Sequence, residues 1–479
     1  MSTYTSPTSV AGHTANTGAV IRITIVAAIG GFLFGYDLAV INGATAAMRE
    51  YFGVGATTLG SAVASALIGA AIGAAVGGRL ADKLGRVRVM RIAAVLFLIS
   101  SIFCAIDPFF DADTGGFYWL VFWRIIGGVG MGVASIIAPA YIAEIAPADI
   151  RGRLGSLQQM GIVLGIFASQ IANQIIVALA GSSEAPWLLG LEAWRWMFLL
   201  EAVPATIYLI GAYTIPESPR WLVQQGRRDQ ALSVMVHLQG EGPAQHRLSV
   251  IDQTLDKEHT PHLRDLAGKA FGLKPILWVG IGLAALQQLV GINVIFYYSN
   301  QLWQSVGFQE GDAFTISTIT SVTNVAVTIA AIALVDKIGR KRLLLIGSIG
   351  MTLTLGTMAA VFATATVTDA GPVLGEIAGP IALVAANLYV IFFGISWGPV
   401  MWVLLGEMFP NKIRGVALAV AGFVQWIANW LVAVTFPAIS EVSLVFAYGL
   451  YAFFAFISVF FVIKAVRETR GVELEDMYD

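Results

Sequence analysis

The chain has 479 residues, of which 57% are hydrophobic and only 12% charged, with a formal net charge of −2. A composition this apolar, with several uninterrupted runs of about 20 apolar residues, is that of a polytopic helical membrane protein and excludes a soluble fold. The near-zero net charge gives no reason to expect a nucleic acid as partner, and the single Cys104 excludes an intramolecular disulfide.

The first residues are polar and lack a basic stretch joined to a short apolar run and a small-residue cleavage site. Residues 1–19 therefore read as a cytoplasmic tail, and the first span is expected to stay in the mature protein. Apolar runs predict spans at 20–41, 58–80, 88–106, 117–142, 155–180 and 195–215, and six more at 275–303, 314–335, 342–364, 378–405, 416–437 and 442–464. The implied organisation is a helical bundle over 20–215, a cytoplasmic connector over 216–273 with short helices such as one around Asp229 to Gln239, a second bundle over 274–465 and a tail over 466–479. The two bundles are related. Gly78 to Arg91, a charged turn between apolar runs, returns in part as Val335 to Arg342, and Glu144-x-x-Pro147-x-x-x-Arg151-Gly152 returns as Glu407-x-x-Pro410-x-x-x-Arg414-Gly415. Such an internal repeat suggests two halves that rock about a site between them.

Of the 28 Lys and Arg residues, all but Arg49, Arg124 and Arg195 fall on the side that carries these turns, the connector and the termini, which makes that side cytoplasmic. Gly69, Gly73 and Gly77 put a smooth stripe on the second span, read either as static packing or as a sliding surface between the halves.

Charged side chains in mid-span are costly and need a reason. Asp37 in span one, Arg124 in span four and Glu201 in span six all lie in the first half, and no histidine falls inside a span, so a histidine proton relay is excluded. An acid and a base in one bundle read either as a fixed buried salt bridge or as a pair that opens and closes with proton binding. Amides form a second set: Gln159 and Gln170 in span five, Gln287, Gln288 and Asn293 in span seven, Asn324, Asn387, and Gln425 with Asn429 on one face of span eleven. Helix-to-helix hydrogen bonding accounts for any one of them. As a set, donors and acceptors together suit a polyhydroxylated neutral solute, with Trp402, Trp426 and other aromatics to face its C–H groups. Gly291 in span seven and Gly394, Gly398 and Pro399 in span ten are helix breakers of the kind tolerated where backbone lines a cavity, which marks those two spans as gates. No phosphate loop, metal-ligand spacing or nucleophile–base set is present, so no cofactor and no enzyme activity are expected.

The motifs GGFLFGYD at 30–37, GRLADKLGR at 78–86, RIIGGVGMG at 124–132, PESPRWL at 216–222, QQLVGIN at 287–293, WGPVMW at 397–402 and QWIAN at 425–429, with the two E-x-x-P-x-x-x-R-G turns, resemble the sugar porter family of the major facilitator superfamily over nearly the whole chain. VINGA at 40–44, PAYIAE at 139–144 and RGRLGSLQQ at 151–159 look most like bacterial glucose permeases of the actinomycete type. The resemblance implies an all-α major facilitator fold of twelve transmembrane helices in two pseudo-symmetric six-helix bundles. It implies a sugar site of Gln159, Gln287, Gln288, Asn293, Asn324, Trp402, Gln425 and Trp426. It also implies proton coupling through Asp37, Arg124 and Glu201, as in proton-linked xylose-type porters. The family's acid in span ten is Gly394 here, and the usual Pro-Glu-Thr-Lys-Gly of the tail appears as Arg467-Glu468-Thr469-Arg470-Gly471.

The reading is a monomeric proton-coupled monosaccharide symporter of the plasma membrane, with glucose favoured over xylose, another hexose or a polyol. A passive uniporter leaves Asp37 and Glu201 without a purpose, and a sugar sensor lacks its long signalling tail. Asp82, Arg86, Glu144 and Arg151 in one half, and Asp336, Arg340, Glu407 and Arg414 in the other, are expected to form gating ion-pair networks when the cavity faces outward.

Overall fold

The computed structural model describes residues 16–107, 114–146, 151–255, 263–368, 371–410 and 413–469, with a few side chains inside these ranges, among them those of Arg151, Asp336 and Arg414, outside the description. Twelve of the described helices are long and apolar enough to cross a membrane. Spans one to six are Thr17–Phe52, Ala56–Leu84, Arg86–Ala105, Gly115–Ile145, Leu157–Ala180 and Ala193–Thr214, and spans seven to twelve are Pro275–Tyr297, Glu310–Leu334, Arg340–Phe362, Ala378–Met408, Gly415–Val442 and Leu444–Ala465. The chain is a multi-pass membrane protein. Span one runs well past its predicted end, because Asn42 to Thr45, Ala47 and Met48 are buried against neighbouring helices and tertiary packing carries the helix beyond the apolar run.

In the first half span one packs on span five and span two on span four; in the second, span seven packs on eleven and span nine on ten and twelve. The halves meet along two seams, span two with span eleven and span five with span eight. The glycine stripe of span two does not lie on a seam. A Cβ on Gly69 or Gly73 would fall 2.1 Å from Ile125 O or 2.2 Å from Val129 O, so the stripe is where span four presses backbone to backbone within one half. It is packing, and the sliding-surface alternative is set aside.

Short helices Pro219–Gln224, Arg228–Gln239 and Glu241–Leu255 build the connector around Trp221, Leu222 and Met235. It docks on the end of the first bundle that carries the basic turns. Glu217 accepts from the backbone N–H groups of Arg86 and Val87 at the start of span three, Trp221 Nε1 donates to Asp82 O at 2.9 Å, and Arg247 Nη2 donates to Glu144 O at 2.8 Å. The second bundle repeats the first of these contacts: Glu468 accepts from Arg340 N and Lys341 N at the start of span nine. The altered tail thus keeps its glutamate at work.

Candidate functional site

Arg124 Nη1 donates to Asp37 Oδ1 at 3.0 Å, with both side chains at most 5% exposed. Glu201, also buried, sits where span six changes from the helix Ala193–Leu200 to the helix Ala202–Thr214, within electrostatic reach of both. The Phe198 ring, one turn before Glu201, lies 5.7 Å from the Arg124 guanidinium carbon. Among the described residues, Asp37 Oδ2, Arg124 Nε, Glu201 Oε1 and the Tyr36 hydroxyl have no hydrogen-bond partner. A buried ion pair with spare acceptors on two carboxyls is poorly compensated as a fixed salt bridge, and it retains room to take up a proton.

The second half holds the amides in one chain. Asn293 Nδ2 donates to Gln288 Oε1 at 2.7 Å, Gln288 Nε2 to Gln287 Oε1 at 3.2 Å, and Gln425 Nε2 to that same Gln287 oxygen at 2.8 Å. Gln287 Nε2 is held by the Trp397 carbonyl at 2.9 Å. Each predicted breaker falls at or beside a helix break: Gly291 is left-handed (φ 80°) between two helices of span seven, and span ten is interrupted at Ile395 and Ser396, after Gly394 and before Trp397. Pro399 lies in the first turn of the resumed helix, where its missing N–H is not needed. Trp426 turns toward the first half, its ring 5.7 Å from that of Phe34 on span one. Asn324 is buried in span eight, Gln159 half-buried in span five, and Trp402 is 41% exposed. Among the described residues no hydrogen bond links these three to the amide chain.

Other predicted amides bind elsewhere. Asn387 accepts from Thr323 Oγ1 and donates to Leu383 O, and Asn429 donates to the Tyr297 hydroxyl, all helix-to-helix or intrahelical roles. Gln170 belongs to a seal that residue reasoning missed. Asn42 Nδ2 donates to Gln170 Oε1 at 3.3 Å and to Ser317 Oγ at 3.4 Å, Ser317 Oγ donates to Asn300 Oδ1 at 2.6 Å, and Asn300 N donates to Asn42 Oδ1 at 2.9 Å. The Asn42 bonds to Ser317 and Asn300 join the halves at the end opposite the basic turns. Gln174 to Thr315, the N–H of Ser183 to Glu310, and the ion pair Arg49–Glu441 join them at the same end. Beyond the seal a cavity of about 610 Å³ is bordered by Arg49, Glu50, Glu184, Gln301 and Glu441.

At the basic end the described ion pairs form within each half. Arg86 is bidentate to Glu144 and Arg340 bidentate to Glu407, with Asp82 adding to Arg86, so each described pair lies inside one half. They stand while the opposite end is closed. Because both partners ride on the same bundle, rocking does not by itself separate them. The side chains of Arg151, Asp336 and Arg414 lie outside the described residues.

The family model "Sugar (and other) transporter" matches residues 23–479. The chain belongs to the sugar transporter family. The transporter is 52% identical to the "Glucose transport protein" of Synechocystis sp. over 97% of its own length and 98% of the relative's, and 38% identical to the "D-xylose-proton symporter" of Escherichia coli over 96% of each. Among solved structures it is similar to the partially occluded inward-open form of the xylose transporter XylE from E. coli, with a TM-score of 0.81 at 36% identity over 95% of this chain and 100% of that one. The proton:xylose symporter XylE bound to 6-bromo-6-deoxy-D-glucose gives a TM-score of 0.76 at 37% identity over 96% and 99%. The major facilitator fold is therefore established, and the protein is a transporter rather than an enzyme.

Proposed function

We propose that the protein is a proton-coupled monosaccharide symporter, with glucose the favoured sugar, working as a monomer in the plasma membrane with both termini and the connector in the cytoplasm. The observation that carries this is the Asp37–Arg124 pair with Glu201 beside it, three ionisable groups buried together in the half that faces the amide cluster. Arg124 stays charged and Asp37 carries the proton, released from its partner when the site changes access. Glu201 serves as a second station behind the pair. The sugar is held by Gln287, Gln288, Asn293 and Gln425, with Gln159, Asn324, Trp402 and Trp426 completing the site once the halves close on it. The names of the Synechocystis and E. coli relatives support a glucose or xylose class of substrate with proton symport. Lys and Arg at the end carrying the turns support the orientation, in which the sealed end faces outward and the structure is inward-facing.

Entry of one proton contributes about 2.3 kcal/mol per 100 mV, enough for roughly 50-fold sugar accumulation. Counterflow in proteoliposomes with labelled glucose, xylose, galactose and a polyol identifies the substrate. External alkalinisation on adding sugar to energy-depleted cells tests the coupling, and Asp37→Asn is expected to abolish it while exchange persists. Sugar exchange with no alkalinisation in the unaltered protein would replace this reading by passive uniport.

A further inference from the structure

The break in span seven has a support outside the span. In an unbroken helix the Val290 carbonyl would accept from the N–H of Val294, but that N–H donates to Gly291 O at 3.1 Å. The carbonyl released at the break is met instead by the hydroxyl of Tyr389 from span ten, which donates to it at 2.7 Å. Tyr389 and Val290 are fully buried, so bulk water is no substitute, and a buried carbonyl without a donor is costly. On another side of the break the Tyr451 ring fills the space where a Cβ on Gly291 would lie, at 2.6 Å.

Gln288 and Asn293 flank this break and are hydrogen-bonded to each other across it. Their relative position depends on the backbone between them, which is the backbone Tyr389 holds. Span ten also supplies the Trp397 carbonyl that fixes Gln287, so it braces the amide chain at two points. We propose that Tyr389 is a positioning residue for the sugar: by holding the Val290 carbonyl it keeps Gln288 and Asn293 oriented so that both meet hydroxyls of one sugar molecule. It touches no sugar and acts through the backbone. The inference rests on the amide cluster being the sugar site.

Tyr389→Phe keeps the ring and removes one donor. Apparent affinity for labelled glucose in counterflow should fall about fivefold, with the saturated exchange rate close to that of the unaltered protein and the detergent melting temperature modestly lowered, because the Val290 carbonyl loses its donor. Acting through Gln288, the substitution should lose at least half of its effect in a Gln288→Ala background, whereas a purely structural role would weaken binding equally in both. No loss of affinity from Tyr389→Phe, or the same loss in both backgrounds, overturns the assignment. Unchanged affinity in Gln288→Ala alone would instead remove the amide cluster as the sugar site, and the inference with it.

Discussion

Arg124 pairs with Asp37 inside the first bundle, and removing it would leave that carboxylate without a cation in a low-dielectric interior. Arg124→Leu is expected to destabilise the protein by about 3–5 kcal/mol, read as a lowered melting temperature in detergent. Adding Asp37→Asn should recover much of that loss, because the second substitution removes the stranded charge; a double variant no more stable than Arg124→Leu would mean the pair is not the source. These residues were legible in the sequence because a charge in an apolar run is expensive wherever it falls. Gln287, Gln288 and Gln425 were legible as a set for a weaker version of that reason. Asn42, Asn300 and Ser317 were not. One uncharged polar side chain in a long span is ordinary, and their significance lies in a hydrogen-bonded contact between helices more than 250 positions apart in sequence, Asn42 to Asn300 and to Ser317. Tyr389 was hidden for the same reason, since its partner is a backbone carbonyl freed by a distant glycine.

At the scale of elements, the starts of spans three and nine are each held by a glutamate from a following segment. Glu217 accepts from Arg86 N at 2.9 Å and Val87 N at 3.2 Å, and Glu468 from Arg340 N at 2.9 Å and Lys341 N at 3.1 Å. Each satisfies free N–H groups of a helix N-terminus and places negative charge where the helix dipole favours it. Glu468→Ala should weaken the first turn of span nine by about 0.5–2 kcal/mol, visible as faster amide exchange at 340–343 with little change at the centre of the span. Unaltered exchange there would show that the glutamate is not a cap. The sequence revealed that the two turns were related but not that the glutamates serve as caps, because Glu217 and Glu468 lie some 130 positions beyond the N–H groups they meet. Span boundaries were legible where hydropathy sets them and failed at span one, whose last turns are helical through packing.

For the whole molecule, in the orientation proposed above, the balance between closed and open outer ends is set by contacts that the first half makes with the second. Asn42→Ala removes the side-chain hydrogen bonds to Ser317 and Asn300 that cross between the halves, and should shift that balance toward the open form by about 1–3 kcal/mol. A reporter is available one turn below the seal: Ser321 is fully buried, so Ser321→Cys in a Cys104→Ala background should be slow to react with an impermeant thiol reagent added outside, and faster once Asn42 is replaced. The same rim carries a titrating group. Burial, then a hydrogen bond and charge from Glu50, then the charge of Glu310 raise the Glu184 carboxyl above the ordinary glutamate value. Glu50 and Glu184 belong to the first half and Glu310 to the second, while the Arg49–Glu441 pair spans the same rim. When the halves part outside, Glu310 moves away and the Glu184 value falls by the share Glu310 supplied, while the contribution of Glu50 within the first half stays, so the closed form binds the proton more tightly. Closure is therefore favoured as external pH falls, and this contribution disappears as pH rises through the closed-form value. Labelling of the Ser321→Cys reporter should slow on external acidification by a larger factor than in the same reporter carrying Glu184→Gln, a comparison at matched pH that cancels the thiol's own titration. Equal slowing in the two proteins would mean that the rim's response to pH belongs to another group.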